Sequence, residues 1–300
     1  MRRRDFLKSS LSIAAAASLG KTPEIFANDL PYPDIAVVKG KRTEAVIKAI
    51  NMIGGIGRFV KSGNKVVIKP NMSFNSSPDV GANTHPDIVA AVVRLCKDAG
   101  AAKISVLDNA FSSNSHETSG IQAACNKIVP DCVHNVRGDR FFQEVEVPKG
   151  KVLKRTQILK EVLETDVLIA VPKAKSHSAT GVSLTLKGNM GLIYNRHFFH
   201  SYGLHDCIVD LFPLLTPAFT LIDVTNVMTT NGPNGPGKII NYDEVVASCD
   251  SVAADAYVTS ACEWYGRKVK PENVGYLKEA AARGLGRIDL ENLNIIKESV

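Results

Sequence analysis

One segment of the chain, residues 172–205, concentrates side chains that can do chemistry. It holds four of the seven histidines, three lysines and an arginine. Lysine and arginine beside glycine-rich turns suit carboxylate or phosphate ligands, and neutral imidazoles suit a transition metal. The segment therefore predicts a site for a small anion, with a divalent metal as an option. The histidines are His177, His197, His200 and His205, and the basic residues are Lys173, Lys175, Lys187 and Arg196.

Three residues of this segment are the candidates for catalysis. His177 and His200 could transfer protons or hold a metal, and Lys187 could act with them on a bound anion. The alternative for each histidine is a hydrogen-bonded structural or surface role. Neither Glu-x-x-His nor His-Glu-x-x-His accompanies these histidines, so the sequence does not select a particular metal.

Polar clusters also follow four apolar runs that are typical of buried strands. In open α/β sheets, ligands bind outside the carboxyl ends of the strands, so the four ends would converge on one cleft. The alternative is that turns are polar in any protein, but turns favour glycine, asparagine and serine rather than several lysines. The residues predicted to bind a ligand or cofactor are Lys69, Asn71, Asp108, Lys173, Lys175, Asn189 and Asp223.

Strand and helix patterns alternate along the chain. Apolar runs predict strands at 34–38, 65–69, 103–107, 166–171, 219–222 and 293–296, with a further strand at 144–147. Amphipathic spacing predicts helices at 42–60, 158–163, 204–215, 245–265 and 271–283. It also predicts a helix that begins after a cap at Thr84. This order predicts an α/β fold with a mostly parallel sheet and helices on both faces, forming a single domain over residues 28–300. The loops 73–82 and 226–238 are interpreted as active-site or lid loops.

The amino terminus has the pattern of an export signal. Arg3-Arg4 and the following Asp5-Phe6-Leu7-Lys8 precede a weakly apolar, alanine-rich run over residues 9–19. That run is shorter than the roughly 20 apolar residues of a membrane span. Residues 1–27 are therefore predicted to be a twin-arginine signal peptide, read by the twin-arginine translocation machinery. The expected location is periplasmic or otherwise extracytoplasmic.

Composition excludes several classes of protein. Half of the formal charge of +6 lies in residues 1–27, and the remainder shows no basic stripe with interleaved aromatic residues, so no nucleic-acid partner is expected. No later segment is long and apolar enough to predict a stable membrane span. The six cysteines form no Cys-x-x-Cys motif, so no iron–sulfur cluster is expected.

Short motifs run in a fixed order along nearly the whole chain after the signal. They are Lys69-Pro70-Asn71, Thr84-His85-Pro86, Asp98-Ala99-Gly100-Ala101, residues 172–177, residues 186–191, Ile222-Asp223, Gly232-Pro233-x-Gly235 and residues 248–255. This ordered set resembles domain of unknown function family 362. The resemblance implies no particular reaction. Members with a ferredoxin-type module have a Cys-x-x-Cys-x-x-Cys run that this chain lacks, so iron–sulfur binding does not carry over.

A shorter likeness is to the nickel-pincer lactate racemase group, in which a histidine, a glycine-rich turn and a lysine also follow an apolar strand. The similar residues here are His177, Gly181 and Lys187, and the match is too short to imply a reaction. The sequence thus favours an exported enzyme that acts on a small anion. The alternative is a non-catalytic metal- or ligand-binding protein, or a redox partner, of the cell envelope.

Overall fold

The computed structural model describes residues 32–300. The predicted signal peptide, residues 1–27, lies outside the described residues, as do the first residues of the predicted domain. Over the described range, no helix has the length and apolar character needed to cross a bilayer.

The helices and strands below are those of residues 32–300. The strands are β1 Ile35–Lys39, β2 Lys65–Pro70, β3 Lys103–Asp108, β4 Val133–Asn135, β5 Phe142–Glu146, β6 Arg155–Leu159, β7 Val167–Val171, β8 Lys173–His177, β9 Gly181–Ser183, β10 Phe219–Met228, β11 Ile239–Ser248 and β12 Ile295–Ser299. The helices are α1 Arg42–Met52, α2 Ile56–Phe59, α3 Pro86–Asp98, α4 Ser115–Thr118, α5 Ile121–Asn126, α6 Lys160–Leu163, α7 Thr185–Gly188, α8 His197–Tyr202, α9 Leu204–Leu211, α10 Ser251–Ala261 and α11 Gly275–Ala282.

Ten strands form one sheet, in the order β12-β1-β11-β10-β7-β2-β3-β4, with β8 and β9 attached beside β10. All pairings are parallel except those of β11 with β1 and β10, and that of β8 with β9. Side chains of β1 alternate between two apolar cores, Ile35 and Val37 on one face and Ala36 and Val38 on the other. Since successive side chains of a strand point to opposite faces, both faces are covered. The predicted fold class is confirmed.

The largest error in the predicted elements lies at 245–265, where a long helix was expected. The chain instead forms β11 through Ser248 and begins α10 only at Ser251. β11 pairs antiparallel with β10, which continues to Met228 into the predicted lid loop. The apolar spacing fits either element, and pairing with β10 decides between them. Asp250 separates the two elements and caps α10 by accepting hydrogen bonds from the backbone of Val252 and Ala253.

Two other predicted helices are shorter than expected. The helix at 42–60 ends at Met52, because Gly54 and Gly55 have φ of +106° and +77°, which end the helical path. The segment 155–159 is strand β6, so only Lys160–Leu163 is helical. β6 pairs with β5 in a separate two-stranded hairpin, which places the predicted strand at 144–147 outside the main sheet.

The cap of α3 also differs from expectation. His85 occupies the cap position, and its Nδ1 accepts from the Asp87 backbone at 3.3 Å. Thr84 has another role, because its hydroxyl donates to the carbonyl of Val171 and accepts from the backbone of Asn71. Thr84 therefore ties the ends of β2 and β7 together, at the edge where the polar clusters meet.

The predicted strand at 166–171 ends before Pro172, but the chain stays in the sheet beyond that residue as β8. β10 extends beyond the end of β7, so it offers a free edge on which β8 continues in the same direction. β8 then turns back into β9, and α7 follows directly. This hairpin and short helix bring Lys175, His177 and Lys187 over the carboxyl ends of β2 and β3.

Candidate functional site

A cavity of about 320 Å³ lies at the carboxyl ends of β2, β3 and β8. Its volume is at the low end for small-molecule pockets, so it suits a compact ligand. We call it the lysine pocket. It is lined by Lys69, Asn71, Ser73, Phe74, Asp108, Phe111, Lys175, His177, Ser178, Ala179, Ser183, Lys187, Gly188, Met190, Gly191, Arg196, His200 and Pro233.

The lysine pocket is strongly cationic. Lys69, Lys175, Lys187 and Arg196 line it, and Asp108 is the one carboxylate that does so among the described residues. Like charges in a desolvated site repel one another more strongly than they do in water. The arrangement therefore favours a bound ligand that brings negative charge.

Asp108 and Lys69 form a buried pair on the floor of the pocket. Asp108 Oδ2 accepts from the backbone of Met72 and the hydroxyl of Ser73, both at 2.9 Å. Its Oδ1 lies 3.4 Å from Lys69 Nζ and has no hydrogen-bond partner among residues 32–300. Burial lowers the pKa of Lys69, and the negative charge of Asp108 opposes that shift.

A glycine fits against this pair where no larger residue could. A Cβ on Gly191 would lie 2.2 Å from Asp108 Oδ1 and 2.5 Å from Lys69 Cε. The Gly191 carbonyl also accepts from the backbone of Asn109 at 2.8 Å. The motif Gly188-Asn189-Met190-Gly191 thus lies directly over the end of β3.

Two further lysines of the pocket are buried or nearly so. Lys175 Nζ donates to the carbonyl of Ala82 at 2.5 Å, and burial, then Lys187, lowers its pKa well below the usual range. Burial lowers the pKa of Lys187 to about 8, with Arg196 and Lys69 as smaller causes. No hydrogen bond or ion pair of the Lys187 ammonium to another residue of 32–300 is formed. Lys187 is therefore the lysine of this pocket most available to a ligand.

Aromatic rings and cations alternate along one wall of the pocket. Lys175 Nζ lies 4.8 Å from the ring centroid of Phe74, and Phe74 stacks on Phe111 with centroids 5.8 Å apart. The Arg196 guanidinium lies 4.0 Å from the Phe111 centroid. Cation–π contacts of this kind hold the two cations without neutralising them. The wall therefore supplies positive charge and a flat apolar surface together.

Both candidate histidines line the pocket. His177 is buried, and its Nδ1 accepts from the Ala179 backbone at 3.2 Å, which leaves Nε2 to carry the ring proton. Burial, followed by Lys187, Lys175 and His200, lowers the pKa of His177 to about 3. His200 is exposed, and its pKa is lowered by partial burial and by Lys187. Both imidazoles are therefore neutral near pH 7, the form that donates a hydrogen bond or ligates a metal.

The histidines do not belong to a larger set of metal ligands. Among residues 32–300 no three His, Cys, Asp or Glu side chains lie close enough together to hold an ion. The six cysteines are free thiols in this structure, and five of them are buried.

Three residues predicted to bind a ligand do not line the pocket. Lys173 Nζ pairs with Asp223 at 2.8 Å and donates to Asn226 at 2.6 Å, within a fully buried cluster beside the pocket. Asn189 turns into the core and donates to the Leu215 carbonyl at 3.2 Å. Asp223 also accepts from the backbone of His85, so this second pair supports the sheet edge. Lys173, Asn189 and Asp223 therefore lie outside the lysine pocket.

The other predicted residues do meet at the lysine pocket. Asn71 lines it while its Oδ1 accepts from the backbone of Lys173 at 2.7 Å. With it are Lys69, Asp108, Lys175, His177, Lys187 and His200. The structure thus brings together residues from β2, β3, β8, α7 and α8.

The Gly-Pro loop at 231–237 reaches the same pocket through Pro233. The backbone of Gly232 donates to the Ser176 hydroxyl at 3.0 Å, and its carbonyl accepts from Ser178 at 3.2 Å. A Cβ on Gly232 would lie 1.9 Å from the Ser176 carbonyl oxygen. The loop therefore packs closely on β8 and holds the strand that carries Lys175 and His177.

A buried carboxyl supports the helix that carries Lys187. Asp255 accepts from the backbone of Thr185 at 2.9 Å and of Leu186 at 3.0 Å, the first two residues of α7. Burial raises the pKa of Asp255 to about 7, against the effect of these hydrogen bonds. Asp255 therefore holds the first turn of α7, the helix that carries Lys187, in place.

Sequence reasoning did not single out Phe111, and it included Ser73 and Phe74 only as part of the loop 73–82. Ser73 and Phe74 follow β2 within four residues of its end, and Phe111 follows Asp108 by three. An aromatic residue with 60% of its surface exposed, as Phe111 has, is uncommon just after a buried strand. Large apolar residues in such strand-end loops were the available signal.

Comparison with known proteins places the chain in a family. The thylakoid-associated protein sll1697 of Synechocystis sp. (strain ATCC 27184 / PCC 6803 / Kazusa) is 27% identical over 222 residues, which cover 69% of this chain and 65% of that protein. The chain thus spans just under two thirds of that relative. The lactate racemase apoprotein from Thermoanaerobacterium thermosaccharolyticum aligns with a TM-score of 0.45 and 16% identity, over 74% of this chain and 57% of the other. Residues 66–260 match the family described as Domain of unknown function (DUF362), which is well over half of the chain, and the protein therefore belongs to that family.

Proposed function

We propose that the lysine pocket binds a small anionic molecule and that the protein is an enzyme acting on it. The observation that carries this proposal is the composition of the pocket, four basic side chains against the single carboxylate of Asp108. Lysines that only kept the surface polar would be exposed to solvent. Lys69 and Lys175 are instead 3% and 2% exposed. Desolvated cations bind a carboxylate or phosphate more strongly than exposed ones do.

The pocket also contains groups suited to proton transfer. With a pKa of about 8, Lys187 is partly neutral just above neutral pH, so its amine can accept a proton. His177 is neutral and offers Nε2–H as a hydrogen-bond donor. In our proposal Lys175 and Arg196 hold the anion, Lys187 moves the proton, and His177 stabilises charge that develops on the substrate.

A divalent metal is a second candidate component. His177 and His200 line the same pocket as neutral imidazoles, the form that ligates transition metals. A metal held by two histidines would have further coordination positions open to water and to an oxygen of the bound anion. We propose this histidine pair as a site for a metal without assigning the identity of the metal. An iron–sulfur cluster is not part of the proposal, because the chain has no Cys-x-x-Cys motif. Metal analysis of the purified protein, before and after His200→Ala, tests the histidine pair.

A non-catalytic binding protein of the cell envelope is the competing proposal. It would use the same cations to hold an anion or a metal, without need for a partly neutral lysine. The two proposals differ over Lys187→Arg, which keeps the positive charge and removes the group that exchanges a proton near neutral pH. An enzyme loses turnover in this variant while it keeps anion binding, whereas a binding protein loses nothing.

The experiment begins with the protein from its native compartment. Mass spectrometry of small molecules that co-purify with it, compared with Lys187→Gln, should reveal an anion retained by the native chain alone. Lys149→Gln is the matched control, because Lys149 is exposed and lies away from the pocket. If both variants retain the same molecules as the native protein, the lysine pocket is not the binding site.

We further propose that the chain works outside the cytoplasm after twin-arginine export. The support is the Arg3-Arg4 motif with its weakly apolar run. Export of a folded chain suits a protein that closes a ligand site before it crosses the membrane.

A further inference from the structure

A second cavity, of about 490 Å³, lies on the other side of the β8–β9 hairpin. Its walls come from the hairpin, from the start of α9, from the turn after α10 and from the residues just before α11. It is larger than the lysine pocket and shares only two residues with it, His177 and Ser178. His177 therefore forms part of the wall between two cavities.

The second cavity combines an apolar floor with a cationic rim. Val182, Val274 and Trp264 lie at the base of the cavity with at most 3% of their surface exposed, and the more exposed Tyr265 and Val269 add apolar surface. Arg267 and Lys268 lie exposed at the rim, and no carboxylate side chain lines the cavity among the described residues. A ligand that satisfies both features has an apolar body and an acidic group.

Two polar groups of this cavity have no protein partner within residues 32–300. The Arg267 guanidinium forms no hydrogen bond or ion pair there, although its main chain pairs with Trp264. His205 Nδ1 is buried and also has no hydrogen-bond partner. A Cβ on Gly275 would lie 2.8 Å from the His205 ring, so Gly275 leaves just enough room for that ring beside the cavity. Buried polar atoms are normally paired, so His205 Nδ1 is the unusual group, whereas the exposed Arg267 guanidinium is free to contact a ligand.

We propose that this cavity is a second binding site, for an organic acid with an apolar body. Arg267 binds the acidic group, and the apolar part lies against Tyr265 and Val269, above the buried Trp264. The ligand is separate from the small anion of the lysine pocket, and the two ligands would lie on opposite sides of His177. The protein would therefore bind two different ligands at the same time.

The chain carries a built-in reporter for this proposal. Trp264 is its single tryptophan and lines the second cavity, where its indole donates to the Thr259 carbonyl at 2.8 Å. Its emission can be followed while the protein is titrated with cyclohexylacetate, an apolar carboxylate that does not absorb where tryptophan does. Cyclohexylethanol, of similar shape without the charge, serves as the matched probe.

We expect saturable change of the Trp264 emission with cyclohexylacetate and at least tenfold weaker binding of cyclohexylethanol. Arg267→Ala should weaken the carboxylate about tenfold or more, since a charged hydrogen bond is lost. Arg94→Ala is the control, because Arg94 is an exposed arginine of α3 without an ion pair to another described residue. Its affinity for cyclohexylacetate should match that of the native protein.

Three results would overturn the proposal. The first is the absence of a saturable emission change, and the second is equal affinity of Arg267→Ala and the native protein for cyclohexylacetate. The third is loss of the emission change when malonate is added or when Lys187→Gln replaces the native protein. The third result would place the carboxylate in the lysine pocket. Failure of anion binding in the lysine pocket would leave the Trp264 response intact, so the two proposals fail separately.

Discussion

Lys69 Nζ and Asp108 Oδ1 lie 3.4 Å apart in a buried pair whose Oδ1 has no hydrogen bond to any described residue. The other oxygen, Oδ2, is held by two donors, the backbone of Met72 and the hydroxyl of Ser73. Asp108 is thus positioned by the protein on one side only. Both side chains line the lysine pocket, so the pair lies beside the space where a ligand would bind.

Asp108→Asn tests the electrostatic role of this pair. Loss of the carboxylate leaves Lys69 buried without its counter-charge, so the free energy of unfolding should fall by roughly 3 kcal/mol. The pocket becomes more positive, so its affinity for malonate should rise, and saturating malonate should recover part of the lost stability. Chemical denaturation with and without malonate measures both effects.

Asp223→Asn is the matched control for Asp108→Asn. It breaks the other buried lysine–aspartate pair, with Lys173, which does not line the pocket. We expect a comparable loss of stability without recovery by malonate. Equal recovery in both variants would mean that the anion does not bind beside Asp108.

Gly191→Ala tests the close approach of the glycine to the ion pair. The added methyl group would overlap Asp108 Oδ1 and Lys69 Cε, at a cost of roughly 1 to 3 kcal/mol in unfolding free energy. Malonate affinity should fall as well, because the pair must move into the pocket. Gly57→Ala is the control, since Gly57 does not line the pocket and its Cβ would meet no atom within 4 Å. Unchanged affinity in both variants would contradict the described approach of Gly191.

Asp255 predicts a specific dependence of stability on pH. Its pKa is about 7 in the folded protein against 3.8 as the ordinary value. Its contribution to stability is therefore complete below about pH 4 and is lost as the pH rises through 7. Asp255→Asn cannot ionise, so its unfolding free energy should improve relative to the native protein by on the order of 3 kcal/mol over that range. Denaturation of both proteins from pH 4 to 8 measures the difference, and a constant difference would show that Asp255 does not titrate there.

The amino terminus gives a prediction in cells. Arg3→Lys together with Arg4→Lys should leave the precursor in the cytoplasm, because the translocation machinery reads the paired arginines. Fractionation of cells that express the double variant measures this, with Lys21→Arg as a control within the same segment. Normal export of the double variant would refute the twin-arginine assignment.

Four strands around the site could be predicted, because each is an apolar run with a clear end, whereas β8, which carries Lys175 and His177, could not. Pro70 and Pro172 follow two of these runs, and Asp108 and Asp223 lie at the ends of two predicted strands. These strand ends can be recognised from the residues next to them in the sequence alone. The strand β11 could not be predicted in this way, because its apolar residues also fit a helix. Its pairing with β10 is a long-range contact that periodicity does not reveal.

The lysine pocket was only partly predictable for a similar reason. In a regular strand Lys173, Lys175 and His177 would face one side, but β8 pairs irregularly with β10. Lys173 lies opposite Asp223 and Lys175 opposite Met228, so two positions on β8 correspond to five on β10. That irregularity turns Lys173 toward its buried carboxylate partner and leaves Lys175 at the pocket. Irregular pairing of this kind depends on the partner strand, which the sequence of β8 does not contain.

The most direct test of the central claim is calorimetric titration of the native protein with malonate as the pH is raised. Binding should be strong below about pH 8, where Lys187 is protonated, and should weaken as the pH rises through that value with uptake of a proton on binding. Lys187→Gln should bind roughly ten- to a hundredfold more weakly and lose this dependence. An affinity that is equal in the native protein and Lys187→Gln, or independent of pH between about 7 and 9, would contradict an anion site at the lysine pocket.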